Sequence, residues 1–314
     1  MMEFEWKGVF PALTTQFTEN DELDFEMLAL NIRAQLDAGV HGLVLGGSLG
    51  EASSLLQEEK EELLRFVMEL VNGKVPVIMN IAEQTTRAAI EAARKAEKGG
   101  ADGLMLLPPM RYYADSRETL AFFREVAQST PLPLMIYNNP VDYKILVTLD
   151  MFGELARLSN IKAVKESTRD LTNITRMINR FGDRFRLFCG VDTLAMESLL
   201  LGADGWVAGL VDAYPRETVV LYELAKAGRL EEARKLNRWF MPLLELDIHP
   251  KLVQYIKLAG AVAGIGSEAV RPPRLPLEGE ERERILGIVH QANEIRPVLP
   301  SDVPLNGNPL SKEA

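Results

Sequence analysis

One cysteine in 314 residues excludes an intrachain disulfide, and Cys189 sits in the apolar run Arg186-Leu187-Phe188-Cys189-Gly190, where a small buried thiol is expected rather than a nucleophile. The three histidines, His41, His249 and His290, are too far apart for ligand spacing, so no metal site is expected. No stretch approaches the ~20 consecutive apolar residues of a membrane span, and Met1 to Lys7 lacks a basic segment followed by an apolar one. A cytoplasmic protein is the expectation. Positive charge is also short: 35 Lys and Arg stand against 45 Asp and Glu, a net charge of -10. The basic residues Arg229, Arg234, Lys235 and Arg238 are interleaved with Glu231 and Glu232, the pattern of a solvated helix face, so nucleic acid is not an expected partner. Neither the Gly-Lys-Ser/Thr ending of a phosphate loop nor a dinucleotide fingerprint occurs at the glycine-rich turn discussed below.

What is present is alternation. Short apolar runs at 8–15, 42–46, 75–81, 103–107, 132–138, 161–166, 185–190 and 205–210 read as eight strands. Amphipathic stretches at 24–37, 57–71, 85–98, 116–128, 149–158, 171–181 and 193–201 read as the helices between them. Most of the strand runs are continuous and apolar, which suits a parallel sheet covered on both faces. Gly39-Val40-His41-Gly42, Gly100-Ala101-Asp102-Gly103 and Gly202-Ala203-Asp204-Gly205 punctuate three helix-to-strand junctions. One βα unit every ~30 residues, eight times over, predicts a (β/α)8 barrel. The expected organisation is a barrel core over 1–214, C-terminal helices packed on it over 215–300, and a loosely ordered tail over 301–314.

Barrel active sites form at the C-terminal ends of the strands. The polar residues ending the apolar runs are Thr14-Thr15, Gly46-Gly47-Ser48-Leu49-Gly50-Glu51, Tyr137-Asn138-Asn139-Pro140 and Lys165-Glu166-Ser167. Lys165 shares strand parity with Ile161 and Ala163, which points its amine toward the interior. An enclosed ammonium costs free energy unless it is paired or loses its proton, and the neutral amine attacks carbonyls. Tyr137 ends the preceding strand, ~5 Å away in a barrel, and a phenol can both give and take the protons that imine chemistry moves. The Gly47-Ser48-Leu49 turn offers backbone N–H groups that can cradle a carboxylate.

In order along the chain, Gly47-Ser48-Leu49-Gly50-Glu51, Tyr137-Asn138-Asn139-Pro140 and Val164-Lys165-Glu166-Ser167 resemble the motifs of the dihydrodipicolinate synthase and N-acetylneuraminate lyase family, class I lyases that work through a lysine Schiff base. The resemblance runs from about Gly8 to Pro300. It implies that Lys165 forms the imine and Tyr137 relays protons, while Gly47, Ser48 and Leu49 hold the substrate carboxylate. It also implies a strand-eight carbonyl near Val207 directed at the lysine. Thr14, Asn139 and Arg111 complete the expected substrate-binding set. No cofactor beyond the covalent imine is implied, and a homodimer or homotetramer is.

Three departures from the synthases bear on the substrate. The second threonine of their turn is Leu49 here, which cuts the proton path between their two tyrosines. Their second tyrosine falls at Arg111, with Tyr112 and Tyr113 following. Their aldehyde-binding arginine falls at Asp142. The specific expectation is therefore a catabolic member that deaminates 1-pyrroline-4-hydroxy-2-carboxylate. The alternatives are 4-hydroxy-tetrahydrodipicolinate synthase, a 2-keto-3-deoxy sugar-acid aldolase or dehydratase and, outside catalysis, a ligand-binding barrel.

Overall fold

A computed structural model describes residues 4–109 and 112–303. Eight parallel strands, β1 (Gly8–Pro11), β2 (Leu43–Leu45), β3 (Val77–Ile81), β4 (Gly103–Leu106), β5 (Leu134–Asn138), β6 (Ile161–Glu166), β7 (Arg186–Cys189) and β8 (Gly205–Ala208), lie in the order β1-β8-β7-β6-β5-β4-β3-β2. The parallel bridge Ala12–Val44 and the bond from the Leu13 amide to the Val44 carbonyl, 3.0 Å, join β1 to β2 and close the cylinder. This is the expected (β/α)8 barrel. The first strand is shorter than the apolar run suggested, because Leu13 to Thr15 turn away to meet the β2 loop and Asp212.

The helices are α1 (Phe25–Ala38), α2 (Gln57–Val71), α3 (Thr86–Lys98), α4 (Ser116–Gln128), the short α5 (Pro140–Tyr143), α6 (Leu149–Leu155), α7 (Thr172–Phe181), α8 (Ala195–Leu200), α9 (Pro215–Lys226), α10 (Leu230–Leu244), α11 (Leu252–Val262) and α12 (Gly279–Glu294). Local chemistry sets several starts: Asp24 accepts from the Met27 amide, Thr85 from Ala88, and Asp115 with Glu118 forms a reciprocal capping box. Helix α3 presents Ala89, Ala92, Ala93 and Ala96 to the barrel, a small face that lets helix and sheet approach closely. No helix among the described residues is long and apolar enough to cross a membrane.

The Gly-Ala-Asp-Gly junctions do more than stop helices. Asp102 accepts from the Val77 amide at 3.0 Å and Asp204 from the Leu187 amide at 2.8 Å, so each aspartate ties the start of its own strand to its neighbour.

The expected boundary at 214 moves. Helix α9 is apolar nearly all round, with Val219, Val220, Leu221 and Leu224 buried, because it packs on β1 and β8 between α1 and α8 and is the eighth barrel helix. The appendage proper is α10, α11 and α12. It is bound to the barrel by a fully buried ion pair, Lys257 to Glu51 at 2.7 Å, and by Arg271, which reaches Glu59 and Asp21. The tail is tied down as far as Val303, which is buried, with Asp302 paired to Arg229 at 2.9 Å; 304–314 lie outside the described residues.

Candidate active site

Lys165 projects from β6 into the mouth of the cylinder, directly across from Tyr137 on β5 and Phe188 on β7. It is 7% exposed, and its Nζ lies 4.1 Å from the Tyr137 ring centroid. Burial lowers the pKa of the amine from the ordinary lysine value, against the opposing pull of Tyr143, Asp247, Asp192 and Cys189. Burial likewise pushes the Tyr137 phenol up to about 12, so it stands as a proton donor, accepting from Asn139 Nδ2 at 3.2 Å. Space for the lysine depends on Gly190: a Cβ there would come within 2.6 Å of Lys165 Cγ and Cε and within 2.2 Å of Ser167 Oγ.

A cavity of about 80 Å³ opens over the amine, lined among others by Gly47, Ser48, Leu49, Tyr137, Asn139 and Val207. Its size fits a small acid and is far below the roughly 300–1,000 Å³ of a drug-sized ligand site. The turn after β2 is arranged as an anion cradle. Asn80 holds the Gly46 carbonyl at 2.8 Å and Thr15 the Gly50 carbonyl at 2.6 Å, while the Ser48 and Leu49 amides donate to no acceptor among the described residues. Glu51 closes this turn at φ 55 and accepts from Lys257, which locks the cradle to the appendage.

The expected residues divide. Lys165, Tyr137, Gly47, Ser48, Leu49, Asn139 and Val207 come together around one cavity. Asn139 does so as an orienting group, its amide engaged by Tyr137 and by Asp142 at 2.7 Å. Thr14 does not join them. Its amide and hydroxyl bond Asp212 at 3.2 and 3.3 Å and Gln16 donates to its oxygen, so its polar atoms are committed to structure. Arg111 lies outside the described residues.

Sequence reasoning missed three groups, Tyr143, Arg169 and Asp247. Tyr143, from the unforeseen helix α5, hydrogen-bonds Ser48 and packs edge-to-face on Tyr137 with centroids 5.4 Å apart, its own pKa raised by burial. The break expected at Leu49 therefore leaves a second phenol beside the first, supplied by the same chain. Arg169 lines the rim from a left-handed backbone, φ 64, and among the described residues no ion pair engages it. Asp142 and Asp247 line the rim too, the latter from the 3-10 turn Glu245–Ile248. Asp142 was already singled out by its place in the motif, and the only sequence signal for the other three was the proximity of Tyr143 to Pro140.

Cys189 is buried with its thiol pushed up to about 12, consistent with a core role. Among the described residues, no group of three or more His, Cys, Asp or Glu is placed to hold a metal ion. A wider, open groove of about 1060 Å³ lies at the other end of the strands. Its Arg184 is spent on three carbonyls and its Arg186 on Asp204.

An enclosed lysine amine beside a phenol, over an anion cradle at the C-terminal end of a barrel, defines a Schiff-base lyase. Comparison with known proteins agrees. Residues 5–292 match the dihydrodipicolinate synthetase family, and the chain belongs to it, as a class I lyase of the lysine Schiff-base type. It is 33% identical over 294 residues to a 4-hydroxy-tetrahydrodipicolinate synthase of an Exiguobacterium species, covering 92% of this chain and 99% of that one. A synthase of the same name from Methanopyrus kandleri is 33% identical, covering 87% and 91% of the two chains. The dihydrodipicolinate synthase of Aquifex aeolicus superposes with a TM-score of 0.88 at 27% identity over 92% of this chain and 98% of its own. YagE, a family member from E. coli K12 solved with pyruvate, superposes at 0.86 with 28% identity, covering 92% and 99%.

Proposed function

We propose that Lys165 captures the 2-carbon of a small 2-oxo acid or cyclic imino acid whose carboxylate rests on the Ser48 and Leu49 amides. The neutral amine adds to the carbon, Tyr137 delivers the proton with which the carbinolamine oxygen leaves as water, and an imine remains. Loss of a proton from C3 gives the enamine, and a final hydrolysis restores the amine. No metal or organic cofactor enters. The observation that carries this reading is the Tyr137–Lys165 pairing, 4.1 Å from amine to ring, inside a closed barrel mouth. Incubation with pyruvate and borohydride adds the reduced adduct to Lys165 in the intact mass. No added mass refutes the reading and favours a non-catalytic ligand-binding barrel.

Within that class, the wall favours a substrate without a second carboxylate at Asp142. Our specific reading is deamination of 1-pyrroline-4-hydroxy-2-carboxylate to 2,5-dioxopentanoate and ammonia, with one water consumed. The relatives' names favour a second reading, condensation of pyruvate with aspartate semialdehyde, and Arg169 at the rim is the cation that would receive a further carboxylate. Ammonia release from the pyrroline, measured beside pyruvate-dependent loss of aspartate semialdehyde, separates them. Absence of ammonia above background removes the first.

We also propose a homo-oligomer located in the cytoplasm; the assembly is supported by the exposed rings of Tyr112 and Tyr113, 55% and 76% accessible, in the loop between β4 and α4. One solved relative is described as a monomeric dihydrodipicolinate synthase variant, so sedimentation of this chain as a monomer is the result that would exclude assembly.

A further inference from the structure

A lyase that expels a hydroxyl needs a proton for the departing oxygen in addition to those moved at the imine. The polar groups around the cavity can be sorted by what already occupies them. Tyr137 stands over the amine, the Tyr143 hydroxyl is bonded to Ser48, and Asn139 is engaged by Tyr137 and Asp142. Asp142 is exposed and holds the Asn139 amide, and Arg169 carries a guanidinium that does not release its proton. Ser167 is too weak an acid. Asp247 remains.

Its position is specific. Asp247 comes from the appendage, not from a barrel loop, and reaches the mouth over the end of β8. It fits there because residue 209 is glycine: a Cβ at Gly209 would sit 2.2 Å from Asp247 Oδ1 and 3.0 Å from its Cγ. Half-buried, it faces Lys165 on β6, Asp192 after β7, and Asp142 on α5.

We infer that Asp247 is the acid–base residue for the far end of the substrate, which makes a hydroxylated 2-oxo acid or cyclic imino acid the substrate class. The inference rests on the Schiff-base reading. In the enamine, the nitrogen lone pair re-forms the C2–N double bond as the C2–C3 pair moves to C3–C4. The C4–O bond then breaks with its electrons on oxygen. Asp247 supplies the proton and water leaves, the carboxylate regaining its proton from solvent at the rim. Burial raises the Asp247 carboxyl well above the ordinary range, Asp192 adding to the effect and Lys165 opposing it, so a protonated acid is available for this step.

The test compares wild type, D247N and D247E in two reactions: borohydride trapping with pyruvate, and water elimination from 4-hydroxy-2-oxopentanoate and 1-pyrroline-4-hydroxy-2-carboxylate. D247N is expected to lower elimination kcat about 100-fold, the scale of a general acid. KM should change far less, and the loss of activity at rising pH that reports a required acid should disappear. Trapping should fall much less than elimination, and D247E should recover part of the rate. Equal falls in both reactions, or an unchanged pH profile in D247N, overturn the assignment. Wild type that traps pyruvate but dehydrates neither probe overturns it alone, whereas wild type that fails to trap pyruvate overturns the Schiff-base reading beneath it.

Discussion

The buried pair between Lys257 and Glu51 joins the appendage to the anion cradle, and its removal has a calculable effect. Both side chains are fully buried, 2.7 Å apart, and Glu51 sits two residues beyond Leu49. Replacing Lys257 by Met leaves a carboxylate in the interior, and breaking a buried pair from one side costs about 3–5 kcal/mol. The Arg271 amide at 3.0 Å and Arg274 at 3.7 Å still face Glu51 and set the expectation toward the lower figure. At about 2 °C per kcal/mol, the low end for a chain of this length, K257M should lower the melting temperature by roughly 6–10 °C in scanning calorimetry. The double variant E51Q/K257M removes both charges and keeps an acceptor for Arg271. It should recover at least half of that loss, since a buried pair replaced on both sides is often near neutral. Because the cradle hangs on Glu51, K257M should also raise the pyruvate concentration needed for half-maximal trapping. A double variant no more stable than K257M would refute the coupling.

Three further outcomes are expected. Trapping by pyruvate should rise with pH through a midpoint below the ordinary lysine value of 10.5, because burial lowers the Lys165 pKa and only the neutral amine attacks; a midpoint at or above 10.5 in the rate–pH profile contradicts the enclosed site. Y137F should cut turnover by about 10²–10⁴ while intact-mass analysis still detects some reduced adduct, and turnover within threefold of wild type would remove Tyr137 from the proton path. G209A places a methyl against the movable Asp247 carboxyl and not against backbone, so the melting temperature should change little while a crystal structure of the variant shows that carboxyl displaced; an unmoved Asp247 would disprove the close packing.

Particular residues show where sequence reading worked and where it stopped. The eight strands were legible because a strand covered on both faces must be apolar at nearly every position, and the βα spacing leaves few other closures. Lys165 was legible because strand parity groups it with Ile161 and Ala163 and the Tyr137 motif on the neighbouring strand gives its amine a partner. Helix α9 was misassigned to the appendage because its apolar face is as continuous as those of the helices that follow, and which wall it covers depends on the barrel having closed first. Thr14 looked available because a strand-end threonine carries a free hydroxyl in one dimension. In three dimensions, Asp212, 198 residues away, takes it.

The sequence by itself determined the barrel, the lysine and its tyrosine, since these follow from periodicity and from motifs whose members are near neighbours in the chain. The tertiary structure alone decided that Asp247 and Lys257 belong to the site, that Tyr143 stands beside Tyr137, and that Asp102 and Asp204 bind the barrel strands to one another. Each of those contacts joins residues whose chemistry is unremarkable until the chain folds, and no local pattern records which distant group will arrive to meet them.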